Sequence, residues 1–185
     1  DMISEYGFNT EEQEMLAELM KPENLMMLGY SGNNGGQTIS PEQYQAIVDA
    51  ISDANGKKVV EFALSKVGYP YSQELRHSGT HFDCSSLAYY AWKHAGVDIE
   101  YLGSTTAAYE GQYCYDNNWL VHYDEMQPGD LIFFSYEQNG AFMNISHVAI
   151  YVGDGMLVEA ANSRIGVVYR AVHSQDSIVM IGRPR

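Results

Sequence analysis

The sequence predicts an α+β domain in which N-terminal helices pack on a C-terminal antiparallel β-sheet. Two observations carry this. Up to about residue 96, apolar residues recur at helical spacing behind capping residues; after residue 128 the runs shorten and become β-branched and aromatic. Length agrees with one domain plus an extension, since 185 residues can bury roughly 70% of the surface an unfolded chain exposes.

Thr10-Glu11-Glu12-Gln13 has capping-box form, and Met15, Leu16, Leu19 and Met20 follow at helical spacing until Lys21-Pro22 interrupts them. Leu25-Met26-Met27-Leu28 reads as a short apolar turn. The stretch "GYSGNNGGQT", residues 29–38, reads as a flexible linker. The expected division is therefore a helical extension with its linker at 1–38 and the main domain at 39–185. Ser40-Pro41-Glu42-Gln43 opens the next helix with proline at its first position, and Tyr44, Ile47, Ile51 and Ala54 share one face until Gly56 stops it. A further helix carries Val60, Ala63, Leu64 and Val67 and ends at Gly68, before Pro70. Another opens near Cys84 and runs to about His94, with Gly96 as its stop. The segments "DLIFFSY", "SHVAIYV", "MLVEAA", "IGVVYRAV" and "SIVMIGR" then read as five strands.

Charge and composition exclude several roles. The net charge is −14, with ten Lys and Arg against twenty-four Asp and Glu, which argues against a nucleic-acid partner because phosphate binding needs clustered bases. Residues 1–56 hold ten of the acids and only Lys21 as a base, read as a solvated helical face. No apolar run approaches the roughly 20 residues of a membrane span. Fifteen tyrosines against six phenylalanines suggest rings kept at wet or substrate-facing surfaces. Cys84 and Cys114 make neither a disulfide framework nor a zinc site, so no metal is expected. The chain starts at Asp1, without a methionine or signal peptide; it reads as a processed or excised piece whose compartment is not legible from targeting residues.

The chemistry turns on "THFDCSSLAYYAWKHAG", residues 80–96. Cys84 stands three, four and seven residues before Leu87, Ala88 and Ala91, so it shares their sheet-facing stripe while lying in the first helical turn. Helix N-termini favour thiolates, and their free amides can hold an oxyanion. Alone, such a cysteine is usually a core residue; a base is what points to a nucleophile. The hairpin of residues 147–161 supplies one. A three-residue Gly153-Asp154-Gly155 turn places Val148, Ile150, Val152, Met156, Val158 and Ala160 on one core face. His147, Ala149, Tyr151, Leu157, Glu159 and Ala161 fall on the other, with Glu159 diagonal to His147 and able to orient its ring. A two-residue Asp154-Gly155 turn would shift the pairing by one and separate the two. His81 reads as a loop histidine and Cys114 as a structural thiol.

"FDCSS" opening a helix, then "QPGDLIFF", then "ISHVAIYVGDGMLVEA", preceded by "ALSKVGYPYS", together resemble the NlpC-type family of bacterial cell-wall cysteine peptidases. The resemblance covers about residues 57–185. It implies a papain-like fold and an endopeptidase that cuts peptidoglycan stem peptides at the γ-D-glutamyl–diamino acid bond without a cofactor. It further implies Cys84 as nucleophile, His147 as base and then acid, and Glu159 in the histidine-orienting position, where histidine, asparagine or glutamine is usual. Tyr71 matches the tyrosine that helps bind the oxyanion. Asp83 and Ser85 match residues lining the pocket for the amino end of the stem peptide, with Ser146 beside it. An extracellular, cell-wall location follows from the same resemblance. Amidase or acyl-transfer chemistry on the same residues, or a non-catalytic wall-binding module, are the alternatives. The chain departs from the family where Ser72-Gln73-Glu74-Leu75-Arg76 follows Pro70-Tyr71 in place of Trp-Gly-Gly, and at Ser86, where glycine is common; both put substrate detail in question.

Overall fold

A computed structural model describes residues 39–185. The helix expected at 10–20, the apolar turn at 25–28, the linker and the boundary at residue 38 lie outside the described residues.

Helix α1 (Pro41–Asp49) begins as its sequence dictates. The Ser40 hydroxyl accepts the Gln43 N–H at 3.2 Å, and the Gln43 side chain accepts the Ser40 N–H at 3.0 Å. It ends earlier than its apolar face suggested. Helix α2 (Ala54–Ser65) has its own cap, Asp53, whose carboxylate accepts the Gly56 N–H at 2.6 Å. Gly56 therefore lies in the first turn of α2 and does not stop α1, which corrects the sequence reading. Its glycine answers to packing: a Cβ there would collide with the Pro128 carbonyl oxygen of the turn before the sheet.

Helix α3 (Cys84–His94) is capped by Asp83, which accepts the Ser86 N–H at 2.8 Å, while the Ser86 hydroxyl accepts the Asp83 N–H at 3.0 Å. It gives way at Ala95 to Gly96, whose φ of 89° an L side chain would resist. Helix α4 (Ala107–Asp116) has no counterpart in the sequence reading; its buried face consists of the small residues Ala107, Ala108, Gly111 and Cys114 together with Glu110.

The five expected strands form, as β1 (Leu131–Phe134), β2 (His147–Gly153), β3 (Met156–Asn162), β4 (Gly166–Ala171) and β5 (Ile178–Gly182). They make one antiparallel sheet in the order β4-β3-β2-β1-β5. Helices α2 and α3 bury Val60, Leu64, Leu87 and Trp92 against Phe133, Val148, Ile150 and Val158 on one face of the sheet. The other face is not simply solvated. Ile132, Phe134, Ala149 and Leu157 form a second, smaller core there, flanked by Met126, Val172 and Ile178.

The β2–β3 hairpin reaches its expected register by an unexpected route. Its turn has two residues, Asp154-Gly155, both at positive φ, with Gly153 paired to Met156. A bulge between Tyr151 and Gly153 then absorbs one residue, so Tyr151 pairs with Leu157 and Ile150 with Val158. The three-residue turn is thereby corrected, yet the pairing it predicted is restored.

Candidate active site

Three elements converge on one point. Cys84 is the first residue of α3 and half-buried. His147 is the first residue of β2, and Glu159 lies in β3, on the face and in the register that bring it to His147. The His147 Nε2 is bonded to the Glu159 Oε2, and the Cys84 thiol lies near enough to the imidazole to favour its protonated form. With Nε2 committed to the carboxylate, Nδ1 is left for the thiol. Cysteine, imidazole and carboxylate are thus neighbours at one site.

The electrostatics follow from that order. Burial disfavours a charged His147, but its hydrogen bonds to Cys84 and Glu159 outweigh burial and raise it to about 9. Burial likewise disfavours a charged Glu159, and the hydrogen bond and charge of His147, with Arg170 and His173 behind it, bring it down to about 2. The pair is therefore an imidazolium facing a carboxylate at neutral pH.

Two partners of Glu159 were missed from the sequence. Its Oε1 accepts Arg170 Nε at 2.7 Å and His173 Nε2 at 2.6 Å, so the carboxylate, 1% exposed, is held on both oxygens. The His173 ring stacks on Phe134 at 5.6 Å and 10°. Arg170 lies opposite Leu157 in the β3–β4 ladder, two residues from Glu159, and that alternation was the available signal.

Tyr71 sits half-buried beside Cys84, joined to the chain before α3 by a bridge to Phe82. Burial, with Cys84 and Asp83 adding to it, raises its phenol, so the hydroxyl keeps its proton and can donate. Ser146 accepts the Tyr136 N–H at 3.1 Å. His81 is a loop residue hydrogen-bonded to Thr80 at 3.0 Å. Cys114 is a free thiol, fully buried against Gly182 and pushed far up by burial.

Asp83 and Ser85 flank Cys84 and are already engaged. Arg76 Nε lies 2.9 Å from Asp83 Oδ2, and Arg76 Nη2 donates to Ser85 Oγ at 2.9 Å and to the Thr105 carbonyl at 2.8 Å. Glu110 of α4 is fully buried, and neither carboxyl oxygen has a hydrogen-bond partner among the described residues. Burial first, then Cys84, push it well above the usual carboxylate range, with Arg76 pulling the other way and Asp83 adding to the rise.

A thiol with a paired imidazole, at a helix N-terminus and beside a proton-bearing phenol, is equipped for nucleophilic acyl chemistry. The model of the NlpC/P60 family matches residues 68–180. A curated protein of Mycobacterium tuberculosis named "Probable endopeptidase" is 34% identical over 119 residues, which is 64% of this chain and 26% of that protein. The chain thus spans about a quarter of that relative's length. NlpC1 from Trichomonas vaginalis superposes with a TM-score of 0.60 at 21% identity, over 72% of this chain and 45% of its own. RipD from M. tuberculosis, described as a non-catalytic NlpC/p60 domain protein adapted to peptidoglycan binding, gives 0.56 at 22%, over 71% of this chain and 98% of its own. At those identities the two structures show a shared fold alone.

Proposed function

The chain belongs to the NlpC/P60 family, with its papain-like α+β fold, and on that footing we propose that it is a cysteine endopeptidase of the bacterial cell wall. Its substrate in this reading is the peptidoglycan stem peptide, cut between γ-D-glutamate and the diamino acid, outside the cell. The observation that carries the reading is the imidazole of His147 bonded to the Glu159 carboxylate and neighbouring the Cys84 thiol.

The Cys84 thiolate attacks the amide carbon, forming a C–S bond as the carbonyl π electrons move to oxygen. Amides at the start of α3 and the Tyr71 hydroxyl receive that oxyanion, a contribution of roughly 3 kcal/mol per donor removed. Protonated His147 then gives its proton to the leaving amine, the C–N bond breaks, and a thioester remains. Water adds to the thioester as His147 takes its proton, and the acid leaves with Cys84 restored as thiolate beside the imidazolium. Glu159 keeps the ring oriented throughout. Asp83, Ser85 and Ser146 form the wall on which the acyl side of the peptide rests.

Cys84→Ala is the decisive variant. It should abolish release of peptides from purified peptidoglycan, while the wild type liberates fragments whose masses place the cut. Iodoacetamide at neutral pH should modify Cys84 well before the buried Cys114. Digestion that survives Cys84→Ala overturns the enzymatic reading; fragments cut at the amide joining peptide to sugar would replace endopeptidase by amidase.

A further inference from the structure

Both polar groups that flank Cys84 are taken up by one guanidinium. Asp83 spends Oδ1 on the Ser86 N–H at 2.8 Å, and its Oδ2 faces Arg76 Nε at 2.9 Å. The Ser85 hydroxyl accepts Arg76 Nη2 at 2.9 Å. Arg76 is itself fixed from a third direction by the Thr105 carbonyl at 2.8 Å, at the start of α4, and its side chain is only 17% exposed. Its charge is thus built into the wall beside the nucleophile.

A free α-ammonium bound there would compete with Arg76 for the Asp83 carboxylate and the Ser85 hydroxyl. It would also be pressed against a fixed like charge in a poorly solvated place. The Asp83 charge is already faced by that of Arg76, so little of it is left for a second cation. Glu110 of α4 is fully buried, and burial and then Cys84 push its carboxyl well up against the opposing charge of Arg76, which makes it a poor replacement anion. A neutral group meets no such penalty, since a carbonyl can lie against the guanidinium edge and a methyl against Tyr71.

We propose that Arg76 is a specificity-determining residue that closes this pocket to a free amino terminus, so the preferred substrates are stem peptides whose amino end is acylated. Such peptides are those still attached to the glycan strand, as opposed to short amine-ended fragments. The inference rests on the stem-peptide reading above and deepens it. The sequence resemblance pointed to a pocket for the amino end; the residue that fills it comes from the segment 72–76, where this chain departs from the family's pattern.

The test uses the Cys84→Ala protein, so that binding is read apart from cleavage. Calorimetry compares one stem tripeptide, L-alanyl-γ-D-glutamyl-diaminopimelate, with its N-acetylated form. The acetylated peptide should bind at least about tenfold more tightly. Equal binding, tighter binding of the free amine, or binding of neither peptide overturns the proposal. On the same background, Arg76→Gln should bring the ratio toward one by releasing Asp83 and Ser85. Should that variant fold poorly, Arg76→Lys keeps the charge and should keep the preference; loss of preference there counts against the charge argument. Digestion of whole peptidoglycan by the wild type is scored separately, so a failed enzymatic reading and a failed amine exclusion give different results.

Discussion

At His147 two effects oppose one another, and the hydrogen bonds win. Burial alone would strip the ring of its proton, but Cys84 and Glu159 raise it to about 9. With the folded value above the ordinary 6.5, the stabilisation is complete below about 6.5 and is lost as pH rises through about 9. In the proposed mechanism the protonated ring is the acid for the leaving amine, so kcat/KM should fall on the alkaline side near pH 9. Glu159→Gln removes a support of that proton: the alkaline limb should move to lower pH, and kcat should fall roughly 10²- to 10⁴-fold. A pH–rate profile of both proteins checks this; an unmoved limb would separate Glu159 from the imidazole. For Glu159 itself the sign reverses. Held near 2, below its usual value, it contributes stability that is present above about 4.5 and lost as pH falls toward 2. Acid unfolding followed by circular dichroism should come at higher pH in Arg170→Ala, which strips one of its cations. The shared face of His147 and Glu159 was legible because strand alternation is a local rule, and Cys84 was joined to them through the order of the family's motifs. Alternation could put Arg170 on the same face, but no local pattern says that it, His173 or Arg76 closes on a particular buried carboxylate.

Among the elements, those with explicit start signals were the readable ones. Ser40-Pro41 and Asp83-Cys84-Ser85-Ser86 each opened a helix where expected. Helix α4 went unread because its buried face is mostly alanine, glycine and cysteine, with little hydrophobic contrast, and Thr106 makes no side-chain cap bond. Gly56 misled for a related reason: glycine ends helices, yet here it admits a neighbouring backbone. Gly56→Ala should therefore destabilise the fold by about 3 kcal/mol, at the upper end for overpacking, since the obstacle is the Pro128 carbonyl and not a yielding side chain. Urea unfolding measures it; a neutral or stabilising effect would show that the turn can move away. The hairpin carries a similar lesson. The turn type was misjudged, but the alternation of core residues demanded the register, and the bulge after Tyr151 reconciled the two.

For the molecule as a whole, the ends of the sheet domain are latched together. Asp130, 1% exposed at the entrance to β1, holds Arg183 after β5 through Nε at 2.7 Å and Nη2 at 2.9 Å, and also accepts the Gln127 N–H at 2.8 Å. Asp130→Ala leaves the guanidinium without its anion, and global stability should drop by about 3 kcal/mol, the lower end for a broken buried pair because Arg183 is partly exposed. Thermal and chemical unfolding of the variant measure the loss; a change below about 0.5 kcal/mol would reduce the latch to a surface contact. The sequence by itself determined the α+β class, the five strands, the capped helix that begins at Cys84 and the shared strand face of His147 and Glu159, because hydrophobic period, capping and alternation act over a few residues. Only the tertiary structure decided that a second core lies behind the sheet, that Arg170 and His173 hold Glu159, and that Arg76 occupies Asp83 and Ser85. Those are pairings between groups far apart in the chain, and burial forces such pairings without any local sequence rule naming the partner.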